Sequence, residues 1–254
     1  MKSALAALAF LFLSGVCALA GAVRPVVVEV YTSQGCNSCL FANTMAAKIA
    51  QKPGVLLLSF GVTYWDMFGW KDTLANEDNT KRQRAYAAAL HRGGVYTPQM
   101  IIDGVSDVPA SRVDAVSAAI DMAALKRDQT TAAPATADTT LSVPVTLKRA
   151  EDGLNVIIAR APDRHGVDAT VWLLRVRSSA TVKITAGESA GQTVTYRNVV
   201  TGIQNLGAWR GAAQTIAVPK PTGKVIAHDG VAVLVQQGGY GRIVGAVFQQ
   251  GSAY

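Results

Sequence analysis

The sequence predicts an α/β domain followed by an all-β domain of antiparallel, sandwich-like build. Three observations carry this expectation. A strand–helix–strand pattern opens the chain after its leader, a Thr/Ala/Pro-rich stretch interrupts it near the middle, and beyond that stretch helical periodicity gives way to short alternating segments. The expected boundaries are a signal peptide over 1–20, the α/β domain over 24–127, a linker over 128–140 and the all-β domain over 141–254. Of 254 residues, 50% are hydrophobic, which is ample for a core in each domain. The net charge is +7 with only 16% charged residues, so the positive balance is diffuse. Without a dense Lys/Arg run or basic residues interleaved with aromatics, nucleic acid is not an expected partner.

The leader reads as a bacterial export signal. Lys2 supplies the positive start, Ala4 to Val16 the apolar stretch, and Ala18-Leu19-Ala20 before Gly21 a small-residue cleavage site. The apolar part is too short for a membrane-spanning stop-transfer helix, and Ser14-Gly15-Val16 before Cys17 is a poor lipidation motif. Cleavage after Ala20 would leave a periplasmic or secreted protein with no transmembrane segment. It would also remove Cys17, leaving Cys36 and Cys39 as the mature cysteines, expected to form a disulfide in an oxidising compartment.

Val26 to Tyr31 is a nearly continuous β-branched run, the mark of a strand buried on both faces, interrupted by Glu29. Thr32 to Gly35 makes a turn. From Cys39, Phe41, Met45, Ala46, Ile49 and Ala50 recur at helical spacing until Pro53-Gly54. Val55 to Val62 is a second buried strand, and a strand–helix–strand unit of this length implies a parallel pair. An aromatic loop follows, with Tyr64, Trp65, Phe68 and Trp70. Asn76 or Asn79 can cap the next helix, which runs through Arg82, Tyr86 and Leu90 to Gly93-Gly94. Gln99–Ile102 is a strand, Asp103-Gly104 a hairpin turn and Val105–Val108 its return. Ser111 can cap a last helix bearing Val113, Val116, Ile120 and Leu125. After the linker, strands are expected over 141–147, 154–159, 170–176, 181–185, 192–198, 214–218, 231–235 and 243–248.

Chemistry concentrates at Cys36-Asn37-Ser38-Cys39. A thiol attacks as thiolate, and a free cysteine with a pKa of about 8.5 needs help to ionise. A helix N-terminus gives that help through unpaired N–H groups and the positive end of its dipole. Cys36 is expected there as the attacking thiol, with Cys39 one turn later as the resolving thiol. Two other readings remain. A structural disulfide over so short a ring would stabilise by only about 2 kcal/mol. Two thiolates could hold Cu(I), whereas tetrahedral zinc needs four ligands, and His91, His165 and His228 are scattered. No metal or other cofactor is expected.

Thr97-Pro98 stands just before a strand, an ordinary place for proline. Combined with the exported cysteine pair at a β–α junction, it resembles the thioredoxin superfamily. That resemblance implies a cis Thr97–Pro98 bond packed beside the cysteines, with Thr97 presenting its backbone to a substrate chain. More narrowly, Glu29-Val30-Tyr31-Thr32-Ser33-Gln34-Gly35-Cys36-Asn37-Ser38-Cys39, Tyr64-Trp65-Asp66, Gly69-Trp70-Lys71-Asp72, Arg82-Gln83-Arg84-Ala85-Tyr86 and Val95 to Met100 are similar to an exported bacterial family, domain-of-unknown-function family 1223. Asn198-Val199-Val200, Leu206 to Trp209 and Gly245-Ala246 extend the similarity. Leu40 stands where that family's pattern has proline, Asn43 where it has aspartate, and Gly61 and Thr63 where it has a histidine and an acid.

The thioredoxin resemblance implies that Glu29 assists proton transfer to the inner thiol, as a buried carboxylate of raised pKa could. The alternative is a partly solvated edge residue. Tyr64, Trp65 and Trp70 either form a substrate-facing platform or cover the core. Asp66 faces the site or caps a turn; Arg82 and Arg84 hold an acidic substrate or lie on a solvated helix face. The expected function is an exported thiol–disulfide oxidoreductase acting on thiol- or disulfide-containing envelope proteins or small thiols. The alternative is a non-enzymatic copper- or partner-binding envelope protein whose cysteine pair is a ligand site or a structural disulfide.

Overall fold

The computed structural model describes residues 24–132, 142–161, 167–222 and 226–251. The expected signal peptide over 1–20 lies outside them, as does most of the expected linker.

The first half follows the expected order. Strand β1 (Val26–Thr32), helix α1 (Cys39–Ile49) and strand β2 (Val55–Gly61) are followed by a 3₁₀ turn over Thr63–Phe68. Then come α2 (Glu77–Ala89), β3 (Gln99–Ile102), β4 (Ser106–Pro109) and α3 (Val113–Ala132). β1 and β2 are parallel, in register from Val26 opposite Val55 to Thr32 opposite Gly61. β3 runs antiparallel to β1, and β4 antiparallel to β3. Asn76 caps α2, its side chain accepting from the Asn79 N–H. Asp103 and Gly104 both stand at positive φ in a turn closed by the Val105 N–H to the Ile102 carbonyl at 3.1 Å, and the return strand starts at Ser106, one residue later than expected. α3 continues to Ala132, through the start of the expected 128–140 linker.

Alternation along β1 sorts its side chains into two layers. Val26, Val28 and Val30 pack with Ala42, Ala46 and Ile49 of α1 and Val116 and Ile120 of α3. Val27 and Tyr31 face the other way, toward Tyr86 of α2 and a second set of strands.

Those strands are β5 (Val145–Ala150), β6 (Gly153–Ile158), β7 (Ala169–Lys183), β8 (Thr193–Trp209), β9 (Gln214–Pro219), β10 (Gly230–Gln237) and β11 (Ile243–Gln250). The segments expected separately at 170–176 and 181–185 are one strand, β7. Its bulges, near Thr170–Trp172 and Arg175–Val176, let a long strand bend without breaking. The second half does not close on itself as a separate sandwich. β8 pairs in parallel with β2 at Ser59 and Val199, giving one mixed eight-stranded sheet of order β11-β10-β7-β8-β2-β1-β3-β4. Side chains stitch the seam: Ser59 Oγ donates to the Arg197 carbonyl at 2.7 Å, and Asn198 Nδ2 to the Leu57 carbonyl at 2.9 Å. A sandwich-like stack survives locally. The sheet β5-β6-β9 lays Leu154, Val156, Ile158 and Val218 against Val171, Leu173, Val231, Val233 and Val235.

Candidate functional site

The carboxyl ends of β1 and β2 and the start of β3 meet at one edge of the sheet. β1 runs into the Ser33–Ser38 turn and β2 into Thr63–Phe68, with the Val62 N–H donating to the Thr32 carbonyl at 3.0 Å. Gln99 pairs with Tyr31, so Pro98 stands one register step on, opposite Thr32. The Thr97–Pro98 bond is cis, as expected.

Cys36 and Cys39 form a disulfide, their Cα atoms 5.3 Å apart. Helix α1 begins at Cys39, so Cys36 occupies the preceding turn rather than the helix itself. The turn is closed by Cys36 N–H to the Ser33 carbonyl at 3.3 Å and Cys39 N–H to the Cys36 carbonyl at 3.0 Å. Leu40 N–H donates to the Asn37 carbonyl at 3.2 Å, so some of the helix's first N–H groups are already engaged by the turn. Both cysteines are fully buried in this oxidised state, while Asn37 and Ser38 between them are exposed. Ser38 Oγ lies 3.3 Å from Cys36 Sγ.

A clamp that the sequence reading missed holds the turn from the other side. Gln34 is buried; its N–H donates to Asp72 Oδ2 at 2.8 Å, and its Oε1 accepts from Trp70 Nε1 at 2.8 Å. Asp72 also accepts from the Leu74 and Ala75 N–H groups. Burial pushes its carboxyl up, while these backbone donors pull it back and neighbouring Asp66 adds to the rise. Asp66 caps this loop by accepting from the Asp72 N–H at 3.0 Å, the turn-capping alternative. Gly187, in the β7–β8 connection, comes so close that a methyl on it would stand 3.1 Å from Trp70 Cβ and 3.3 Å from the Phe68 carbonyl. The second half of the chain therefore reaches the cysteine turn through Trp70 and Gln34.

Tyr64 and Trp65 are both half-buried beside the turn. A methyl on Gly35 would lie 3.5 Å from the Trp65 carbonyl. Tyr64 OH donates to Gln83 Oε1 at 3.1 Å, and Gln83 Nε2 donates to the Tyr96 carbonyl and to Gln99 Oε1, each at 2.8 Å. Gln83 thus ties Tyr64 to the segment carrying Thr97 and Pro98. Burial pushes the Tyr64 phenol up to about 12. Phe41, Met67 and Phe68 are exposed around this edge.

Glu29 is not brought to the cysteines. It shares the β1 face of Val27 and Tyr31, opposite the face that meets α1. Its carboxylate is engaged by Arg82 Nε and Nη2, each at 2.8 Å, Tyr86 OH at 2.7 Å and Tyr31 OH at 3.0 Å. Residue parity on β1 carried that signal, since Thr32, of the opposite parity, meets α1 through Asn43. Arg82 is likewise neither a surface residue nor a substrate-holding one. It is buried, and its Nη2 reaches Gln236 Oε1 on β10 at 3.0 Å. The rings of Phe60, Tyr86, Trp172 and Tyr240 stand 5.2–5.8 Å from its Cζ. Burial opposes the Arg82 charge, and the Glu29 carboxylate, with Tyr86 and Tyr31 adding to it, more than offsets that, holding the guanidinium well above its usual pKa. Arg84 is exposed, 3.5 Å from Glu77.

The model of a family described as a protein of unknown function (DUF1223) matches residues 27–236. A crystal structure of an Agrobacterium tumefaciens protein is 33% identical, covers 91% of this chain and 96% of its own, and superposes with a TM-score of 0.74. HBP35 of Porphyromonas gingivalis is 16% identical over 89% of this chain and 75% of its own, with a TM-score of 0.62, a likeness of fold alone. No curated protein matches the chain.

Proposed function

The chain belongs to the DUF1223 family, whose function is unknown, and we propose that it is an exported thiol–disulfide oxidoreductase of thioredoxin-like fold. The observation that carries the reading is the Cys36–Cys39 disulfide at the β1–α1 turn, on the sheet edge where cis Thr97–Pro98 also stands. The strand order β2-β1-β3-β4, with β1 and β2 parallel and β3 and β4 alternating, supports the fold. Export rests on the leader pattern of residues 1–20.

In the reducing direction, the Cys36 thiolate attacks one sulfur of a substrate disulfide and expels the other as a thiolate. The Cys39 thiolate then attacks Cys36 Sγ of the mixed disulfide, releasing the second substrate thiolate and restoring the Cys36–Cys39 bond. Two electrons pass from the enzyme pair to the substrate. The oxidising direction is the reverse, beginning with a substrate thiolate at Cys36. Thr97, Pro98, Tyr64 and Trp65 position the substrate chain, and substrates are cysteine-containing envelope proteins or small thiols.

The test is turnover of insulin or glutathione disulfide by the reduced protein, alongside alkylation of Cys36 across pH. Turnover is expected to vanish in Cys36→Ser, Cys39→Ser to accumulate the mixed disulfide, and the Cys36 thiol to ionise below about 8.5. Ionisation at or above that value, with no turnover, refutes the reading.

A further inference from the structure

We propose that Asn43 is a positioning residue for the inner sulfur: when the disulfide opens, its Nδ2–H donates to the Cys39 thiolate. Asn43 stands four residues after Cys39 on α1, so the two side chains lie one above the other on the same face of the helix, with Cβ atoms about 5–6 Å apart. Both are buried, Cys39 at 0% exposure and Asn43 at 4%. Thr32 Oγ1 donates to Asn43 Oδ1 at 3.1 Å, which fixes the plane of the amide. The amide's other end has nothing to do: Nδ2 is buried and has no hydrogen-bond partner among the described residues.

A buried donor without an acceptor is costly, and such an atom in a folded protein calls for a reason. In the oxidised pair Cys39 Sγ is a weak acceptor. On reduction it becomes a thiolate, a strong one, within the reach of an amide one turn away. The donor idle in one redox state thus has a partner in the other. The core layer that α1 packs into is apolar, with Val28 and Val30 from β1 and Val116 and Ile120 from α3. Glu29 and Arg82 pair on the opposite face of β1. Asp72 and Asp66, the carboxylates approaching the turn from the adjoining loop, are tied to backbone N–H groups.

Opening by glutathione shows where the amide acts. A glutathione thiolate attacks Cys36 Sγ, the Cys36–Cys39 bond breaks, and its electron pair leaves on Cys39 Sγ. A second glutathione thiolate attacks the glutathione sulfur of the mixed disulfide, giving glutathione disulfide and the Cys36 thiolate. The Asn43 amide stabilises the leaving group of the first step and the product of the whole reaction, so it favours the reduced pair.

This inference rests on the pair being redox-active, but its test does not need turnover. The full mature chain is equilibrated with reduced and oxidised glutathione, and the fraction of Cys36–Cys39 disulfide is read by mass. Asn43→Ala is expected to shift the equilibrium about tenfold toward the disulfide, a potential about 30 mV more negative for a two-electron couple. Asn43→Asp keeps an acceptor for Thr32 and loses the donor, and is expected to shift it in the same direction. In a Cys36→Ser background, alkylation of Cys39 is expected to need a higher pH in both variants. An unchanged equilibrium and an unchanged alkylation midpoint in the Asp variant, with its fold intact by circular dichroism, overturn the proposal. A wild-type protein that turns over neither insulin nor glutathione disulfide, and whose Cys36 ionises at or above about 8.5, but whose equilibrium still moves with Asn43, refutes the oxidoreductase reading and leaves this one standing.

Discussion

Arg82 carries its charge among rings. Bidentate contact with Glu29 and four aromatic faces replace the water it gave up, although its Nη1 finds no acceptor among the described residues. Replacing one partner leaves the other charged and buried. Arg82→Met is therefore expected to cost about 3–5 kcal/mol in denaturant melts, and Glu29→Leu combined with it to recover much of that loss. Trp70→Phe removes the indole donor to Gln34 and is expected to cost about 1 kcal/mol and to speed hydrogen exchange at the Cys36 amide. The tyrosines set an alkaline limit. Tyr31 and Tyr86 are raised by burial and, further, by the Glu29 charge, while burial takes Tyr64 to about 12. An unfolded phenol ionises near pH 10 and these do so later, so their contribution is whole below about pH 10. It is lost as pH rises from there through the folded values. Phenolate absorbance followed alongside thermal melts checks this: stability is expected to fall above pH 10 before Tyr64 itself ionises.

At the scale of elements, α1, α2 and the β3–β4 hairpin are legible in sequence because their signals are local. Cys39 begins a helical period, Asn76 caps, and Asp103-Gly104 turns. The cysteine pair and Thr97-Pro98 are legible for the same reason. Strand β8 is legible only at its start, 192–198; its seat beside β2 is not, because that partner is far away. Ser59 and Arg197, 138 residues apart, bond across the seam, and no local pattern announces that. The Gln34–Trp70–Gly187 contacts escape sequence reading likewise, since each joins a different loop. Asn198 marks the seam twice: its side chain holds the Leu57 carbonyl, and its φ of 46° is one that an alanine tolerates poorly. Asn198→Ala is expected to cost about 1–2 kcal/mol by denaturant titration.

For the whole molecule, the decisive fact is one sheet running through both halves. Arg82 and Gln236, Ser59 and Arg197, and Asp103 and Ile243 all bond between the halves. A boundary legible as a change of composition is thus not a boundary in the hydrogen-bond ladder. The chain is expected to unfold in one calorimetric transition with equal van't Hoff and calorimetric enthalpies. Residues 24–132 made alone, with the outer edge of β2 bare and the Arg82 cage half built, are expected to give no cooperative melt.

The β2–β8 seam also has a meaning in time. A chain emerging from its N-terminus presents β2 long before Val199 exists to meet it. Until then Leu57, Leu58 and Phe60 sit on a strand with one open flank, the kind of surface that recruits wrong neighbours. The parallel β1–β2 pair can form early, but its last partner comes late, so completion waits on nearly the full length being made. A chaperone that shields an unfinished sheet edge has its work here in that interval, and none once β8 is seated.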